Sequence, residues 1–413
     1  MRKPSIALLH YSVPPVIGGV EEVLRQHAEL FHRHHHQVMV VAGEGGEFSR
    51  KYEIVFHPLL SSTARAVQRA HSLSINKNDN SRIFSLSKRI YRFLRRVLSE
   101  TDVLIAHNVV SMPFNLPLTL AIVKMAEDGR LKVISWGHDS PYFYPDYPQY
   151  LEREPWNTLK KPHPSIKYVA VTEARAEQFR KLYGVEVIPI TNGVDPVSFF
   201  EFHHTTIRIF KELELSRADL IAIIPFRMVR RKNIELAIRV LAELKKMGVK
   251  ARFLLTGKYD PHNPDSRKYH RELLSLARRL GVQKEFVILT DLRLAGGGMV
   301  VPDRRMLKEL YQISDLVFLP SKQEGFGLPL LEAGLLKLPI VCSDIKPFRE
   351  IGREDVVSFS LEDPPKKIAE RLLSFLQEHP TSRMFRRVMR EYEIDNIYFD
   401  RILPLLKSQF HEG

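Results

Sequence analysis

The residues best suited to chemistry lie in the segment Glu324-Gly325-Phe326-Gly327-Leu328-Pro329-Leu330-Leu331-Glu332, which follows a short apolar run and enters a helix. Two acids eight positions apart, with glycines between them at a helix start, bring two carboxylates to one ligand. Carboxylates accept hydrogen bonds from the hydroxyl rim of a sugar, and the free amides of a glycine segment meet phosphate. The same pattern also describes a capped helix whose acids favour its positive end. Arg227 and Lys232 stand five apart across a strand-to-helix loop and can converge on one point. A departing diphosphate needs such fixed cations, because its oxygens gain charge in the transition state. A solvated basic loop is the other reading, since Arg230 and Arg231 lie beside them.

Gly18-Gly19-Val20-Glu21 follows the first apolar run and opens a helix. Glycines there let the backbone approach an anion closely, or simply make a turn. His138, in Trp136-Gly137-His138-Asp139, stands at the end of another apolar run. It is either an imidazole working near neutral pH or a core histidine satisfied by backbone, and Asp139 also suits a turn cap.

Strands and helices must position these groups. Ser5–Leu9, Val38–Val41, Val103–Ala106, Lys132–Ser135 and Tyr168–Val171 are short, nearly continuous apolar runs. Such runs mark parallel strands covered on both faces. His10 and Pro14-Pro15 stop the first run, which excludes a signal peptide and leaves a buried first strand. A helix is expected over Val20–His32. The pattern restarts after Asn192-Gly193-Val194-Asp195, with strands at Leu220–Ile224, Phe253–Thr256, Phe286–Leu289, Leu316–Leu319 and Pro339–Cys342. Helices Ile234–Met247 and Ser266–Leu280 lie between them. The expected fold class is α/β, with two doubly wound parallel sheets. The expected domains are 1–200 and 201–384, with the boundary near 195–215 and a last amphipathic helix of about 385–413 returning to the first domain. Residues 61–81 read as a polar, irregular surface insertion. In open parallel sheets ligands bind beyond the carboxyl ends of the strands, and the motifs fall there.

The chain has 413 residues, 44% of them apolar, and carries a formal charge of +14. That surplus favours polyanions: nucleic acid, anionic lipid or phosphorylated small molecules. A nucleic-acid-binding protein is the rival from another class, but interleaved aromatics and a known binding module are missing. No run is long enough to span a membrane, and a single cysteine, Cys342, fits a reducing cytoplasm. The basic amphipathic helix 83–98 either packs into the core or rests on an anionic membrane face. His32, His34, His35 and His36 lack a carboxylate at ligand spacing, and the sequence has no Asp-x-Asp pair to hold a divalent cation on a diphosphate. No metal cofactor is expected.

The acid-x7-acid segment, Arg227 with Lys232, Asn192-Gly193-Val194-Asp195 and Gly18-Gly19-Val20-Glu21 occur in an order that resembles the family-4 retaining glycosyltransferases of GT-B fold. The likeness runs from about residue 4 to about residue 350. It implies two Rossmann-like domains facing across a cleft and transfer of a hexose from a nucleotide-diphosphate sugar to an acceptor hydroxyl. By the resemblance, Arg227 and Lys232 grip the diphosphate, and Glu324 holds the donor sugar beside the amides of Phe326, Gly327 and Leu328. Glu332 binds the ribose, His138 lies near the reacting carbon, and Gly18 and Gly19 face the diphosphate. Gly325 belongs to the same donor loop. Glu21, His107, Asn108 and Asp139 are the acceptor-side candidates. Phe226 replaces the glycine usual before the arginine, which alters the backbone approach to the donor. An epimerase or a phosphorylase of the same fold is the rival enzyme reading.

Overall fold

The computed structural model describes residues 3–257, 266–295 and 299–409. They divide into two compact units: Met1–Asp195 with Ile394–Gly413, and Pro196–Glu393. The chain thus enters the second unit at Pro196 and leaves it at Glu393, a few residues from the expected first boundary and well past the expected 384.

The first unit holds seven parallel strands: β1 (Ile6–Ser12), β2 (Val38–Glu44), β3 (Glu53–Phe56), β4 (Val103–His107), β5 (Lys132–Gly137), β6 (Ile166–Ala170) and β7 (Ile188–Pro189). Their order is β3-β2-β1-β4-β5-β6-β7. Ile6 and Leu8 feed one apolar layer, and Ala7, Leu9 and Tyr11 feed the other, as the two-residue side-chain period requires. The second unit holds β8 (Leu220–Ile224), β9 (Ala251–Leu255), β10 (Phe286–Ile288), β11 (Leu316–Leu319), β12 (Ile340–Ser343) and β13 (Val357–Phe359), in the order β10-β9-β8-β11-β12-β13. Both units repeat the Rossmann pattern, in which the chain reverses direction across the sheet beside its first strand. The reversal falls between β1 and β4 in one unit and between β8 and β11 in the other. The doubly wound α/β expectation is met twice.

Three expectations are corrected. The first strand does not stop before His10 but runs on to Ser12, because His10 is buried and its ring is paired with backbone. The supposed irregular insertion contains the helix Arg65–Lys77. Its inner face is Val67, Ala70, His71 and Ser74. The polar members are satisfied internally: Trp156 Nε1 donates to Ser74 Oγ at 2.8 Å, and Leu116 N donates to His71 Nε2 at 3.3 Å. The last helix is not continuous either. Pro380–Glu391 stays with the second unit, and a separate helical path from Ile394 to Ser408 joins the first. Residues 410–413 lie outside the described residues.

The basic helix Ser81–Val97 spends its apolar face on the core, through Ile83, Leu86, Ile90 and Leu94. Its arginines and lysine are exposed, and Phe84 is half-exposed. Among the described residues no helix is long and apolar enough to cross a membrane.

The histidine run has a structural use. His36 Nδ1 donates to Pro4 O at 2.9 Å, so its Nε2 is free to accept from the Tyr398 hydroxyl at 2.8 Å. The His34 ring stacks on Tyr398 at 3.9 Å, and its Nε2 meets Asp395 at 2.8 Å. Arg33 pairs with both Asp395 and Asp195. Ile394, Ile397, Tyr398, Ile402 and Leu405 then complete the apolar layer on the β1 face. Tyr398→Ala removes a fully buried ring and its hydroxyl bond. It should cost the first unit about 3–5 kcal/mol in urea unfolding, and a loss below about 1 kcal/mol would disprove the docking role.

Candidate active site

In the second unit the candidate residues gather at the carboxyl ends of β8 and β11. Arg227 lies just past β8 and is exposed. The chain then makes the short turn Arg230–Lys232, which leaves the Lys232 side chain buried. Its ammonium pairs with Glu324 Oε1, Arg231 Nη1 meets Glu324 Oε2 at 3.0 Å, and Ser321 Oγ donates to Oε1 at 2.8 Å. Glu324 is therefore held from three directions by charge-assisted or hydroxyl hydrogen bonds. Burial lowers the Lys232 pKa, while its bond to Glu324 works the other way. The ammonium also lies 3.8 Å from the Phe226 ring centroid. The aromatic residue standing in place of the family glycine is thus a cation–π wall for Lys232.

The loop geometry depends on two glycines. Gly327 has φ 121°, and a Cβ there would lie 3.1 Å from the Phe348 ring. A Cβ on Gly257 would lie 2.0 Å from Phe226 O, so the chain two residues past β9 must be glycine for the Phe226 loop to pass. Gly325, Phe326 and Leu328 are exposed around the start of the helix Leu328–Leu335. Glu332 sits further along that helix and accepts from the Tyr311 hydroxyl at 3.0 Å.

In the first unit the corresponding place is the β1–β4 edge. His10 and Ser12 continue the face of Ile6 and Leu8 toward the helix Gly19–Arg33. His10 Nδ1 lies 2.7 Å from His107 O, and a carbonyl only accepts, so Nδ1 carries the proton. Its Nε2 is left as a lone pair, 3.9 Å from Glu21 Oε1. Ser12 Oγ donates to the same carboxylate oxygen at 2.6 Å. Gly18 makes room for this carboxylate, since a Cβ there would come within 2.1 Å of Glu21 Oε2. Gly19 begins the helix and is exposed.

Beside it, Asn108 adopts a left-handed φ of 57°. Its Oδ1 accepts from His138 N at 3.2 Å and Asp139 N at 3.1 Å, which fixes the turn after β5. His138 Nε2 faces His107 Nδ1 at 3.4 Å. Asp139 accepts from the Tyr144 hydroxyl at 2.9 Å and from Ser140 N at 2.8 Å, and meets Arg175 at 3.3 Å. Burial pushes the His138 pKa down to about 4, with His10 adding to the effect. It pushes His27 down to about 3, helped by His138, and His107 well below the ordinary value. His10 is lowered by burial too, against the opposing pulls of His107 O and Glu21. All four imidazoles are neutral at pH 7.

Each unit therefore brings its own candidates together, with two qualifications. His107 is 0% exposed and Asn108 spends its side-chain oxygen on backbone, so both support the His138 turn from behind instead of lining a surface. Glu332 is bonded to Tyr311 and, among the described residues, makes no bond to Lys232 or Glu324. Sequence reasoning takes His10 only as a strand stop and Arg231 only as part of a basic loop, and it misses Ser12 and Ser321, which leave no local signal. Among the described residues no group of three or more His, Cys, Asp or Glu is arranged to hold a metal ion.

Comparison with known proteins gives two family matches. The model for glycosyl transferases group 1 matches residues 206–392, and the model for glycosyltransferase family 4 matches residues 17–197. A mannosylglucosylglycerate synthase from Petrotoga mobilis is 26% identical over 361 residues, covering 81% of each chain. A serotype-specific mannosyltransferase WbdA of Escherichia coli is 44% identical over 80 residues, 18% of this chain and 10% of its own. Among solved structures, sucrose-phosphate synthase from Thermosynechococcus elongatus covers 100% of both chains at 16% identity, with a TM-score of 0.40.

The lowered histidines have a pH consequence. Between the ordinary value of 6.5 and the folded values of about 4 for His138 and about 3 for His27, the unfolded chain binds protons that the folded chain refuses. Their stabilisation is full above pH 6.5 and is lost as pH falls toward those folded values, at about 1.4 kcal/mol per unit of depression. Urea midpoints followed by intrinsic fluorescence should fall steadily on acidification across that window. A flat profile would refute the buried neutral cluster.

Proposed function

The chain belongs to the group 1 glycosyltransferases, and from that premise we propose that it moves a hexose, with retention, from a nucleoside-diphosphate sugar to an acceptor hydroxyl without a metal. The observation that carries this reading is Glu324 held by Lys232, Arg231 and Ser321 at the carboxyl ends of β8 and β11, with Arg227 exposed just past β8.

In this reading the diphosphate takes Arg227 and Lys232 as its counter-charges. Lys232 leaves Glu324 for the phosphate oxygens, and Glu324 is freed to accept from the donor sugar's hydroxyls. The amides of Phe326, Gly327 and Leu328 lie along the same loop, and Glu332 takes the ribose. The bond from the anomeric carbon to the phosphate oxygen breaks, and a bond to the acceptor oxygen forms on the same face. The acceptor's proton passes to the leaving phosphate oxygen. The cations supply stabilisation of the departing charge, and the protein supplies orientation. His138, neutral at pH 7, takes part as a hydrogen-bonding group and adds no charge. Glu21 and Asp139 are the acceptor-side carboxylates. The neutral His10 lone pair beside Glu21 gives that side a second hydrogen-bond acceptor.

The names of the relatives support a mannosyl donor, and the Petrotoga relative makes glucosylglycerate the first acceptor to assay. A thermal-shift panel of UDP-, GDP- and ADP-sugars, each with and without EDTA, tests the donor. One nucleotide class should raise the melting temperature, and EDTA should leave that shift intact; loss of the shift in EDTA would end the metal-free reading. Arg227→Ala should lower kcat/KM by about a hundredfold or more, the cost of one lost electrostatic donor. An unchanged kcat/KM would remove Arg227 from the diphosphate site.

A further inference from the structure

The second unit contains a cavity at the opposite edge of its sheet from Arg227 and Glu324. It is lined by Asp219 and Leu220 at the start of β8, Val249 before β9 and Asp315 before β11. Strands in this sheet are parallel, so their starts share one edge and their ends share the other. The cavity cannot belong to the donor loops. Its volume is about 400 Å³, the size of a small-ligand site.

Its outer wall is the helix Pro380–Glu391, which turns Arg383, Arg386, Arg387 and Arg390 toward it. Two of these arginines are committed to structure. Arg386 is buried and forms a fork with Asp315, with Nε to Oδ1 at 3.0 Å, and it also donates to Ala218 O at 3.2 Å. Arg390 donates to Asp219 at 2.7 Å. The other two are not neutralised by a carboxylate. Among the described residues Arg383 reaches only a backbone carbonyl, that of Gln377, and the exposed Arg387 meets no partner. They stand one helical turn apart, and the helix's one acid, Glu391, lines the cavity one turn beyond Arg387. Like charges at that spacing repel, so the arrangement gains most when an anion lies between them. The floor is of a different kind: Leu220, Met247, Val249, Leu373 and Leu376 make it apolar. A bare phosphate would leave that floor unused, and an uncharged apolar molecule would leave the guanidiniums unused.

We propose that this cavity binds a phosphomonoester carrying an apolar or aromatic body, with the phosphate between Arg383 and Arg387 and the body on the leucine–methionine–valine floor. Arg386 and Asp315 build the site by fixing the helix to the strand starts. The site stands independently of the donor reading, because its residues share nothing with Arg227, Lys232 or Glu324.

Calorimetric titration of the full chain with phenyl phosphate, against inorganic phosphate, tests it. Phenyl phosphate should bind about tenfold more tightly than inorganic phosphate, and the double variant Arg383→Ala/Arg387→Ala should weaken it by about tenfold or more. Both side chains are exposed, so the melting temperature of that variant should stay at the parent value. Arg227→Ala and saturating GDP or UDP should leave phenyl phosphate binding unchanged. Adenosine monophosphate in the same titration, and sedimentation with phosphatidylcholine vesicles containing phosphatidic acid, separate a soluble nucleotide from a lipid as the source. In either case the double variant should lose the signal. Equal affinity for the two phosphates, binding insensitive to the double variant, or binding abolished by Arg227→Ala would overturn the proposal.

Discussion

Two parallel strands cannot be joined by a tight turn; the chain must cross over the sheet before it can run the same way again. That requirement organises both units of this protein. Each crossover helix covers a face, so both faces are buried and every strand end with the same polarity falls on one edge. Where the chain reverses direction across the sheet, two crossovers leave on opposite faces and the loops part. In the first unit this point holds His10, His107 and the Gly18 loop, and in the second it holds Arg227, Lys232 and Glu324. The candidate residues fall there because the parted loops leave room for polar groups to converge.

How much of this could be read from the sequence follows from the same physics. Central strands are covered on both faces, so β1, β4, β8 and β11 appear as apolar runs. Edge strands are not, and β3, with an exposed Glu53 and Phe56, and β7, ending in Pro189, passed unnoticed. The helix Arg65–Lys77 was hidden because its inner face includes His71 and Ser74, whose polarity is matched by partners far along the chain. Glu324 was legible from its type and its glycine neighbours. Its partners were less so: Arg231 meets it only because β8 and β11 are adjacent, a fact of sheet order with no local signature. The buried placement of His107 and Asn108 is illegible for a related reason. A motif gives position along the chain, whereas burial decides whether a side chain faces a ligand or props up the residue that does.

The two units solve the problem of buried polarity differently. The second unit keeps its charges and pairs them, so Lys232 and Glu324 compensate each other until something else does. The first unit keeps its carboxylates, Glu21 and Asp139, but gives up charge on its histidines. Its imidazoles are neutral, and their tautomers are set by fixed partners, as with His10 against His107 O. A group held neutral in one tautomer offers direction without a field, which suits recognition of hydroxyls. A paired cation offers a field that appears when its partner is displaced, which suits a phosphate.

The return of Ile394–Ser408 to the first unit has a bearing on how the protein is made. During synthesis the first sheet emerges early, yet the layer built by Ile394, Tyr398 and Leu405 does not exist until the ribosome has translated all of Pro196–Glu393. Until then one flank of the nascent sheet is uncovered apolar surface, a natural client for chaperones. That late arrival defers completion of the oldest part until the second unit has been made, and any premature stop within the second unit leaves both units compromised.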